Sequence, residues 1–265
     1  MSQAINKKPR TSAIRQLTGG ILDLVYPPVC QLCNGPQPAG INDSFCETCH
    51  KQLNLLLGEQ CPRCAARFPR VNPSAIDCHI CHDEDYSFSQ AIAWGSYDSA
   101  LRGIVLRIKE QRNESLTHHI GLHLATQFQQ QLDAWPIDAI VPVPLHWTRR
   151  LWRGYNQAEV LARAIARHLH KPYRSHWLWR RLQTPLQASV TPTQRRKNLR
   201  QAMTARLPKR FHGQHVLLVD DVMTTGATAD ACARALLAAG AGSVKVAILA
   251  RATGETATPG TSPSS

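Results

Sequence analysis

The sequence predicts an α/β protein, in which a parallel sheet is flanked by helices and preceded by a small metal-binding module. Three observations support this prediction. Short apolar runs alternate with stretches whose apolar residues recur every three or four positions, as strands and amphipathic helices do. Residues 216–228, VLLVDDVMTTGAT, are typical of a strand, a tight loop and the start of a helix. Eight of the nine cysteines form four Cys-x-x-Cys pairs near the N-terminus.

The chain is expected to divide into four segments. Its 265 residues suffice for one medium α/β domain and a small appendage. The segments are residues 1–25 with a short helix at 12–25, a cysteine-rich module at 26–85, the α/β domain at 86–251, and a disordered tail at 252–265 rich in Thr, Pro, Gly and Ser.

No apolar run in the sequence approaches the length needed to span a membrane. The first apolar stretch, at residues 19–25, is short and contains Asp23, which is unlike a signal peptide. The protein is therefore expected to be soluble and cytoplasmic, without membrane insertion.

The spacing of the cysteine pairs predicts two zinc sites. In a reducing cytosol, pairs separated by 12, 11 and 13 residues favour zinc over disulfides. Eight thiolates fill two closed sites, so both ions are structural, and a segment with few large apolar residues depends on them to fold. Sequential pairing is preferred to crossed pairing, although the spacing leaves both open. The candidate ligands are Cys30, Cys33, Cys46, Cys49, Cys61, Cys64, Cys78 and Cys81.

The α/β domain is predicted element by element from its apolar periodicity. Parallel strands joined by right-handed crossovers place the loops that follow them at one edge of the sheet. The unpaired Cys232 falls on the apolar face of the helix after residue 228 and is predicted to be a small core residue. Strands are predicted at 91–97, 137–143, 173–179, 216–221 and 243–250, and helices at 99–110, 115–132 and 154–170, with a long basic stretch, typical of a lid, at 180–212.

The end of the strand at 216–221 predicts a ribose 5-phosphate site. Asp220 and Asp221 repel a phosphate, but their carboxylates suit the hydroxyl groups of the sugar that carries it. The following loop presents main-chain N–H groups and hydroxyls to one phosphate at the start of a helix. The residues predicted to bind the ligand are Asp220, Asp221, Thr224, Thr225, Gly226, Ala227 and Thr228.

This segment resembles the phosphoribosyl pyrophosphate (PRPP) signature of type I phosphoribosyltransferases. Together with the cysteine pairs, it resembles the competence protein F (ComF) family, including its GntX-type members linked to the use of external DNA. The resemblance covers about residues 20–251. It implies a type I phosphoribosyltransferase-like sheet and an N-terminal double zinc ribbon.

Two further blocks fit the resemblance. The segment from Pro142 to Gln157 resembles a family block whose loop holds pyrophosphate, and Lys109 resembles the family's lysine after the first long helix. A later block fits the pattern of a lid that closes over PRPP. The implied pyrophosphate residues are His146, Arg149, Arg150 and Arg153, and the implied lid residues are Thr184, Gln187, Arg195, Arg196 and Asn198.

Positive charge is concentrated in residues 146–212, which hold 16 Lys or Arg against the single acid Glu159, a local net charge of +15. Aromatic residues are interleaved with these cations, a pattern that suits single-stranded DNA. The same charge suits the phosphates of PRPP, so both ligands stay open. The aromatic residues are Trp147, Trp152, Tyr155, Tyr173, Trp177 and Trp179.

The resemblance implies a protein that binds PRPP with Mg²⁺ and acts in the uptake or utilisation of DNA, with DNA-uptake or DNA-processing proteins as partners. The alternative is an active phosphoribosyltransferase of nucleotide metabolism that transfers the pentosyl group of PRPP to an unidentified acceptor. The sequence identifies no catalytic base for such an acceptor.

Overall fold

The computed structural model describes residues 28–37, 44–54, 58–67, 78–110, 113–145, 154–181 and 198–253. The chain forms two compact units, Met1–Asn54 and Leu55–Ser265. The first two cysteine pairs belong to the first unit and the other two to the second. The helix predicted at 12–25 and most of the predicted tail lie outside the described residues, and the predicted boundary after residue 85 stays a prediction.

The described elements include both strands and helices, as expected for an α/β protein. In the first unit, the four-cysteine cluster is accompanied by helix α1 (Glu47–Asn54). The second unit contains β1 (Gln90–Ser96), α2 (Ser99–Lys109), α3 (Glu114–Gln127), α4 (Gln129–Asp133), β2 (Ala139–Pro142), α5 (Gln157–His168), β3 (Leu178–Arg180), β4 (Met203–Ala205), β5 (His215–Met223), α6 (Ala227–Ala238) and β6 (Ser243–Arg251), with 3-10 turns at Ser175–Trp177 and Lys209–Phe211 and a helical segment at 198–202.

Among the described residues, four strands form the central sheet in the order β1-β6-β5-β2, and all neighbouring strands are parallel. The apolar run of β5 is fully buried, as parallel strands covered on both faces require. β2 ends where Pro142 lies opposite Val219, whereas β5 and β6 continue to the pair Met223–Arg251. The carboxyl end of β5 therefore projects past β2, and it carries Asp220 and Asp221.

The strand predicted at 173–179 is wrong over most of its length, since only Leu178 and Trp179 belong to a strand. Only Tyr173 bridges β2, opposite Ile140, whose N–H and C=O bond to Pro172 and Arg174 at 2.9 Å each. A 3-10 turn follows, and β3 then pairs antiparallel with β4 in a separate two-stranded sheet. The turn places the Trp177 indole in the core, and burial of this large ring accounts for the departure from the extended path.

The helix predicted at 115–132 is interrupted at Phe128, giving α3 and α4. α3 packs against α5, and Gly121 allows the close approach of the two helices: a Cβ at this position would lie 2.8 Å from the Cβ of Ala164. This crossing fixes α5, which also packs on β2 and β5. Within the described ranges, no helix has the length and apolar character needed to cross a membrane.

Candidate functional site

Asp220 and Asp221 occupy successive positions of β5, so their side chains point to opposite faces of the sheet. Asp221 faces α2, where its Oδ2 lies 3.1 Å from Nζ of Lys109. Asp220 lies on the same face of β5 as Leu218, which packs in one core cluster with Cys232 of α6. Burial chiefly, and the charge of Asp220 in addition, raise the pKa of the Cys232 thiol. Two adjacent carboxylates thus stand at the carboxyl edge in different surroundings.

The Lys109–Asp221 ion pair is partly shielded from water, with 26% and 18% of the two side chains exposed. Burial raises the pKa of Asp220 well above its usual range, and the charge of Asp221 raises it further, whereas Lys109 opposes the rise. The three groups form one electrostatic unit. A ligand that brings hydroxyl donors or a cation to this edge would favour the charged form of Asp220.

Residues 224–226 connect β5 to α6, whose first two residues are Ala227 and Thr228. Gly226 caps the helix with a φ of 78°, in the left-handed region that favours glycine. A Cβ at Gly226 would also lie 2.8 Å from Cε1 of Tyr86. Thr224 and Thr225 are exposed, and the first N–H groups of α6 have no partner inside the helix. This geometry suits an anion, as the sequence predicts.

The loop is held from below by a buried arginine and from the side by a tyrosine. Arg251 is 2% exposed, and its Nη1 donates to the carbonyl oxygens of Met223, at 3.1 Å, and Thr224. Tyr86 Oη donates to the carbonyl oxygen of Thr225 at 3.0 Å. Burial raises the pKa of Tyr86 to about 12, although the charge of Arg251 opposes the shift, so Tyr86 stays a donor at neutral pH.

Residues 154–157, which belong to the family block at 142–157, connect helices α2, α3 and α5 near the site. Tyr155 Oη donates to the carbonyl oxygen of Ile108, the residue before Lys109, and lies 3.0 Å from Oγ1 of Thr117. Asn156 caps α5: its Oδ1 accepts the N–H of Ala158 at 3.2 Å, while its Nδ2 donates to Val143 at 3.1 Å. The motif therefore anchors the end of α2 and fixes the start of α5 to the end of β2.

The predicted pyrophosphate and lid residues lie outside the described residues, except Asn198. Asn198 is half-buried in the helical segment at 198–202. Arg200, in the same segment, bonds to Asp230 of α6 at 3.3 Å. Asp230 also accepts the N–H of Ser87 at 2.9 Å, so it fixes the first turn of α6. The seven residues of the predicted ribose 5-phosphate site, in contrast, lie together at the end of β5 and the start of α6.

The cysteines form two clusters with the preferred sequential pairing: Cys30, Cys33, Cys46 and Cys49 in one, and Cys61, Cys64, Cys78 and Cys81 in the other. The sulfur atoms of each cluster lie within 4.8 Å of one another. The sulfur–sulfur distances Cys33–Cys46, Cys61–Cys81 and Cys64–Cys78 are 3.7 to 3.8 Å, close to the edge of about 3.8 Å expected for a tetrahedron with Zn–S bonds of about 2.3 Å. All eight thiols are free of disulfides, so the residues fit two structural zinc ions.

The thiols of the second cluster do not ionise alike. Hydrogen bonding from Cys64, against the opposing effect of burial, lowers the pKa of Cys61 to about 5, whereas burial chiefly raises the pKa of Cys81 to about 12. In a crowded group of four thiols, hydrogen bonds from the neighbours stabilise the first thiolate. Burial and the charge of that first thiolate then disfavour ionisation of the next thiol. A bound divalent cation removes this conflict, because it stabilises every thiolate at once.

Sequence reasoning missed Tyr86 and Arg251. Arg251 is the only charged residue after Lys245 in the apolar strand β6, and a cation at the end of a buried parallel strand was the available signal. Tyr86 had no comparable signal, since its role depends on a close approach to Gly226. The Lys109–Asp221 contact supports the choice of Lys109, which was based on resemblance alone.

Known proteins match both parts of the chain. Residues 156–262 match the phosphoribosyl transferase domain family, and residues 21–83 match the double zinc ribbon domain family. Among solved structures, the phosphoribosylpyrophosphate amidotransferase from B. subtilis is 23% identical, covering 51% of this chain and 26% of that one with a TM-score of 0.36, a score too low to carry any argument.

Two curated relatives cover most of the chain. The DNA utilization protein YhgH of Escherichia coli O157:H7 is 30% identical over 236 residues, which are 86% of this chain and 99% of that protein. Competence protein F of Haemophilus influenzae is 30% identical over 227 residues, covering 84% and 96% respectively. With a phosphoribosyltransferase domain joined to a double zinc ribbon, and relatives of this similarity over nearly their whole length, the chain belongs to the ComF family.

Proposed function

We propose that the carboxyl edge of β5 binds PRPP. The observation that carries this proposal is the arrangement of an acidic pair, an anion-binding loop and the start of α6 within nine consecutive residues, 220–228. The N–H groups of the loop receive the 5-phosphate, and the carboxylates of Asp220 and Asp221 accept hydrogen bonds from ribose hydroxyls. Lys109 stands beside Asp221 and holds its carboxylate in place.

In this site Mg²⁺ would be bound mainly by oxygen atoms of PRPP rather than by a set of protein ligands. Magnesium prefers phosphate oxygens, a few waters and one or two carboxylates, and PRPP supplies most of these ligands itself. The bound ion neutralises pyrophosphate charge at an edge that also contains two acids. The predicted pyrophosphate residues, His146, Arg149, Arg150 and Arg153, stay a proposal based on resemblance.

The cellular role that we propose is in the uptake or utilisation of DNA. It is supported by the names of the two relatives and by the charge of +15 on residues 146–212. The aromatic residues of this segment support direct binding of single-stranded DNA less than its charge does, because two of them are engaged inside the fold. Trp177 is fully buried against Phe211, with ring centroids 5.2 Å apart, and Tyr155 bonds to α2.

Isothermal titration tests both ligands on the same protein. PRPP with Mg²⁺ should bind one per chain, and omission of Mg²⁺ should weaken it. Single-stranded DNA should be titrated in parallel over a salt series, because contacts to phosphates make its affinity fall with salt. Absence of PRPP binding at millimolar ligand would refute the proposed site, whereas absence of DNA binding would refute only the direct contact with DNA.

A second candidate function is transfer of the pentosyl group. It is favoured by the two carboxylates of Asp220 and Asp221 at the ribose end of the site, since negative charge there stabilises positive charge developing at the anomeric carbon. In that reaction the bond from the anomeric carbon to pyrophosphate breaks, and an acceptor nucleophile takes the ribosyl group. Release of pyrophosphate from PRPP in the presence of candidate nucleobases is the test, and its absence would leave a binding protein.

A further inference from the structure

Arg251 joins the second cysteine cluster to the proposed phosphate loop. Its Nε donates to the carbonyl oxygen of Cys64 at 2.9 Å. The two N–H groups of its Nη1 are shared among the carbonyl oxygens of Met223 and Thr224 at the start of the loop and that of Ala252, at 2.8 Å. One guanidinium therefore contacts a zinc-ribbon carbonyl and the loop that follows Asp220 and Asp221.

The main chain of Arg251 is also fixed. It pairs with Met223 of β5 and with Ser96 of β1, and its carbonyl oxygen accepts the N–H of Tyr97 at 2.8 Å. The side chain is buried, and its guanidinium donates to main-chain carbonyl oxygens. Such a cation tolerates burial only while those oxygens stay in place, because an unsatisfied buried charged group is costly.

The position of the Cys64 carbonyl depends on the cluster. Ala65 follows with a φ of 57°, in the left-handed region, and its N–H bonds to the carbonyl oxygen of Cys61 at 2.8 Å. The N–H of Cys61 in turn bonds to Ala66 at 2.8 Å. This tight turn carries two of the four sulfur ligands, so a bound ion holds the turn closed and fixes the direction of the Cys64 carbonyl.

Tyr86 makes a second connection between the same two parts. It lies five residues after Cys81, and its ring contacts Gly226 while its hydroxyl bonds to Thr225. The guanidinium of Arg63, between two ligands of the cluster, lies 5.9 Å from the centre of the Tyr86 ring. Arg63 also donates to the carbonyl oxygen of Cys81 at 3.3 Å.

We propose that Arg251 is a positioning residue that makes the conformation of the 224–228 loop depend on the metal of the second cluster. Loss of that metal releases the Cys64 carbonyl, frees the Arg251 guanidinium from its fixed position, and loosens the loop. The consequence for PRPP rests on the proposed function, whereas the coupling between cluster and loop does not. The second zinc ion thus controls the phosphate site without touching the ligand.

The first test measures amide hydrogen exchange of residues 223–229 in the ligand-free, full-length protein. Cys78→Ala removes a ligand of the second cluster that is not part of the turn at residues 61–66, and Cys46→Ala is the matched change in the first. Cys78→Ala should speed exchange in the loop about tenfold, and Cys46→Ala should leave it unchanged. Equal exchange in wild type and Cys78→Ala, or equal acceleration by both variants, would overturn the proposal.

The second test asks whether Arg251 carries the effect. Arg251→Met keeps the apolar stem and removes every donor, and Arg251→Lys keeps the charge with a single donor group. Both should retain two zinc ions by elemental analysis while the loop exchanges faster, with Arg251→Lys between wild type and Arg251→Met. In the Arg251→Met background, Cys78→Ala should add little further acceleration. Full additivity of the two changes would show that the coupling bypasses Arg251.

PRPP affinity separates this proposal from the proposed function. If wild-type protein binds PRPP, Arg251→Met and Cys78→Ala should each weaken it about tenfold while Cys46→Ala changes it little. If wild-type protein does not bind PRPP, the proposed function fails, and the exchange measurements still decide the coupling. Should Cys78→Ala fail to fold, as judged by circular dichroism, loop exchange in wild type and Arg251→Met before and after removal of the metal with a chelator decides it: wild type should accelerate on chelation and Arg251→Met should change little, and equal acceleration of both would overturn the proposal.

Discussion

At the scale of single residues, the acidic pair combines two carboxylates with different partners. Asp221 forms an ion pair with Lys109 at 3.1 Å, whereas Asp220 is half-buried beside the charge of Asp221, and both effects disfavour its charged form. Each also accepts the N–H of the next residue, at 2.9 Å for Asp220 and 2.8 Å for Asp221, so both are fixed before a ligand arrives. Such preorganisation lowers the entropy cost of binding.

Asp220→Asn and Asp221→Asn should each weaken PRPP binding by about 1–3 kcal/mol, because an amide keeps the shape but loses the charge that strengthens hydrogen bonds to ribose. Titration calorimetry measures the loss, and unchanged unfolding temperatures show that the fold persists. The matched control is Asp98→Asn, an exposed residue at the start of α2 whose side chain makes no capping bond. Unchanged affinity in both site variants would mean that the carboxylates do not face ribose.

The pH dependence of PRPP binding should report Asp220. Its pKa is raised, so the charged form is lost, and binding weakens, as pH falls through that raised value. Lys109 opposes the rise, so Lys109→Met should raise the pKa of Asp220 further and move the loss of affinity to higher pH. Affinities measured across a pH series test the shift, with the exposed Lys171→Met as the control. A shift to lower pH in Lys109→Met would contradict this electrostatic account.

At the scale of secondary-structure elements, the site depends on where α5 begins. Asn156 bonds to both Val143 and Ala158, and Tyr155 reaches the end of α2. The bonds of Asn156 fix α5 relative to β2. The bond of Tyr155 fixes Ile108, the residue that precedes Lys109. The segment resembles a family block in sequence, and in the structure its described residues act as connections between elements.

Asn156→Ala should lower the free energy of unfolding by about 1–2 kcal/mol, since the cap of α5 and the bond to β2 are both lost. Urea unfolding followed by circular dichroism measures the change. Gln127→Ala, an amide-to-alanine change at the exposed end of α3, should cost less than about 0.5 kcal/mol. A cost for Asn156→Ala as small as that of the control would show that the cap contributes nothing.

The sequence predicted elements with strong periodicity and missed those defined by tertiary contacts. The strands at 91–97, 216–221 and 243–250 were found because buried parallel strands are continuous apolar runs. The strand at 173–179 was wrong because burial of Trp177 and pairing with β4, both long-range effects, override local apolar character. Likewise, the acidic pair and the loop follow from local sequence, whereas Arg251 and Tyr86 act through residues distant in the chain.

At the scale of the whole molecule, two units each contain one four-cysteine cluster. The second cluster belongs to the same unit as the sheet, and it contacts that sheet through Arg251 and through the bond from Ala91 N–H to the Pro62 carbonyl oxygen at 3.0 Å. A metal bound in the second cluster would therefore hold main-chain groups that contact the sheet as well as its own turns.

Purified protein should contain two zinc ions per chain, measured by elemental analysis. Cys46→Ala and Cys78→Ala should each retain one, because each removes a ligand from a different cluster. Cys232→Ala, which changes a buried cysteine outside both clusters, should retain two. A single ion in unchelated wild-type protein would contradict the assignment of two zinc sites.

The central claim is that the loop at 224–228 receives the 5-phosphate while Asp220 and Asp221 face the ribose. A crystal structure of the protein with PRPP and Mg²⁺ tests it most directly. We expect 5-phosphate oxygens within about 3 Å of main-chain nitrogens in the loop, and ribose hydroxyls at the same distance from the carboxylates. PRPP bound with its pyrophosphate in the loop, or bound away from the end of β5, would contradict the claim.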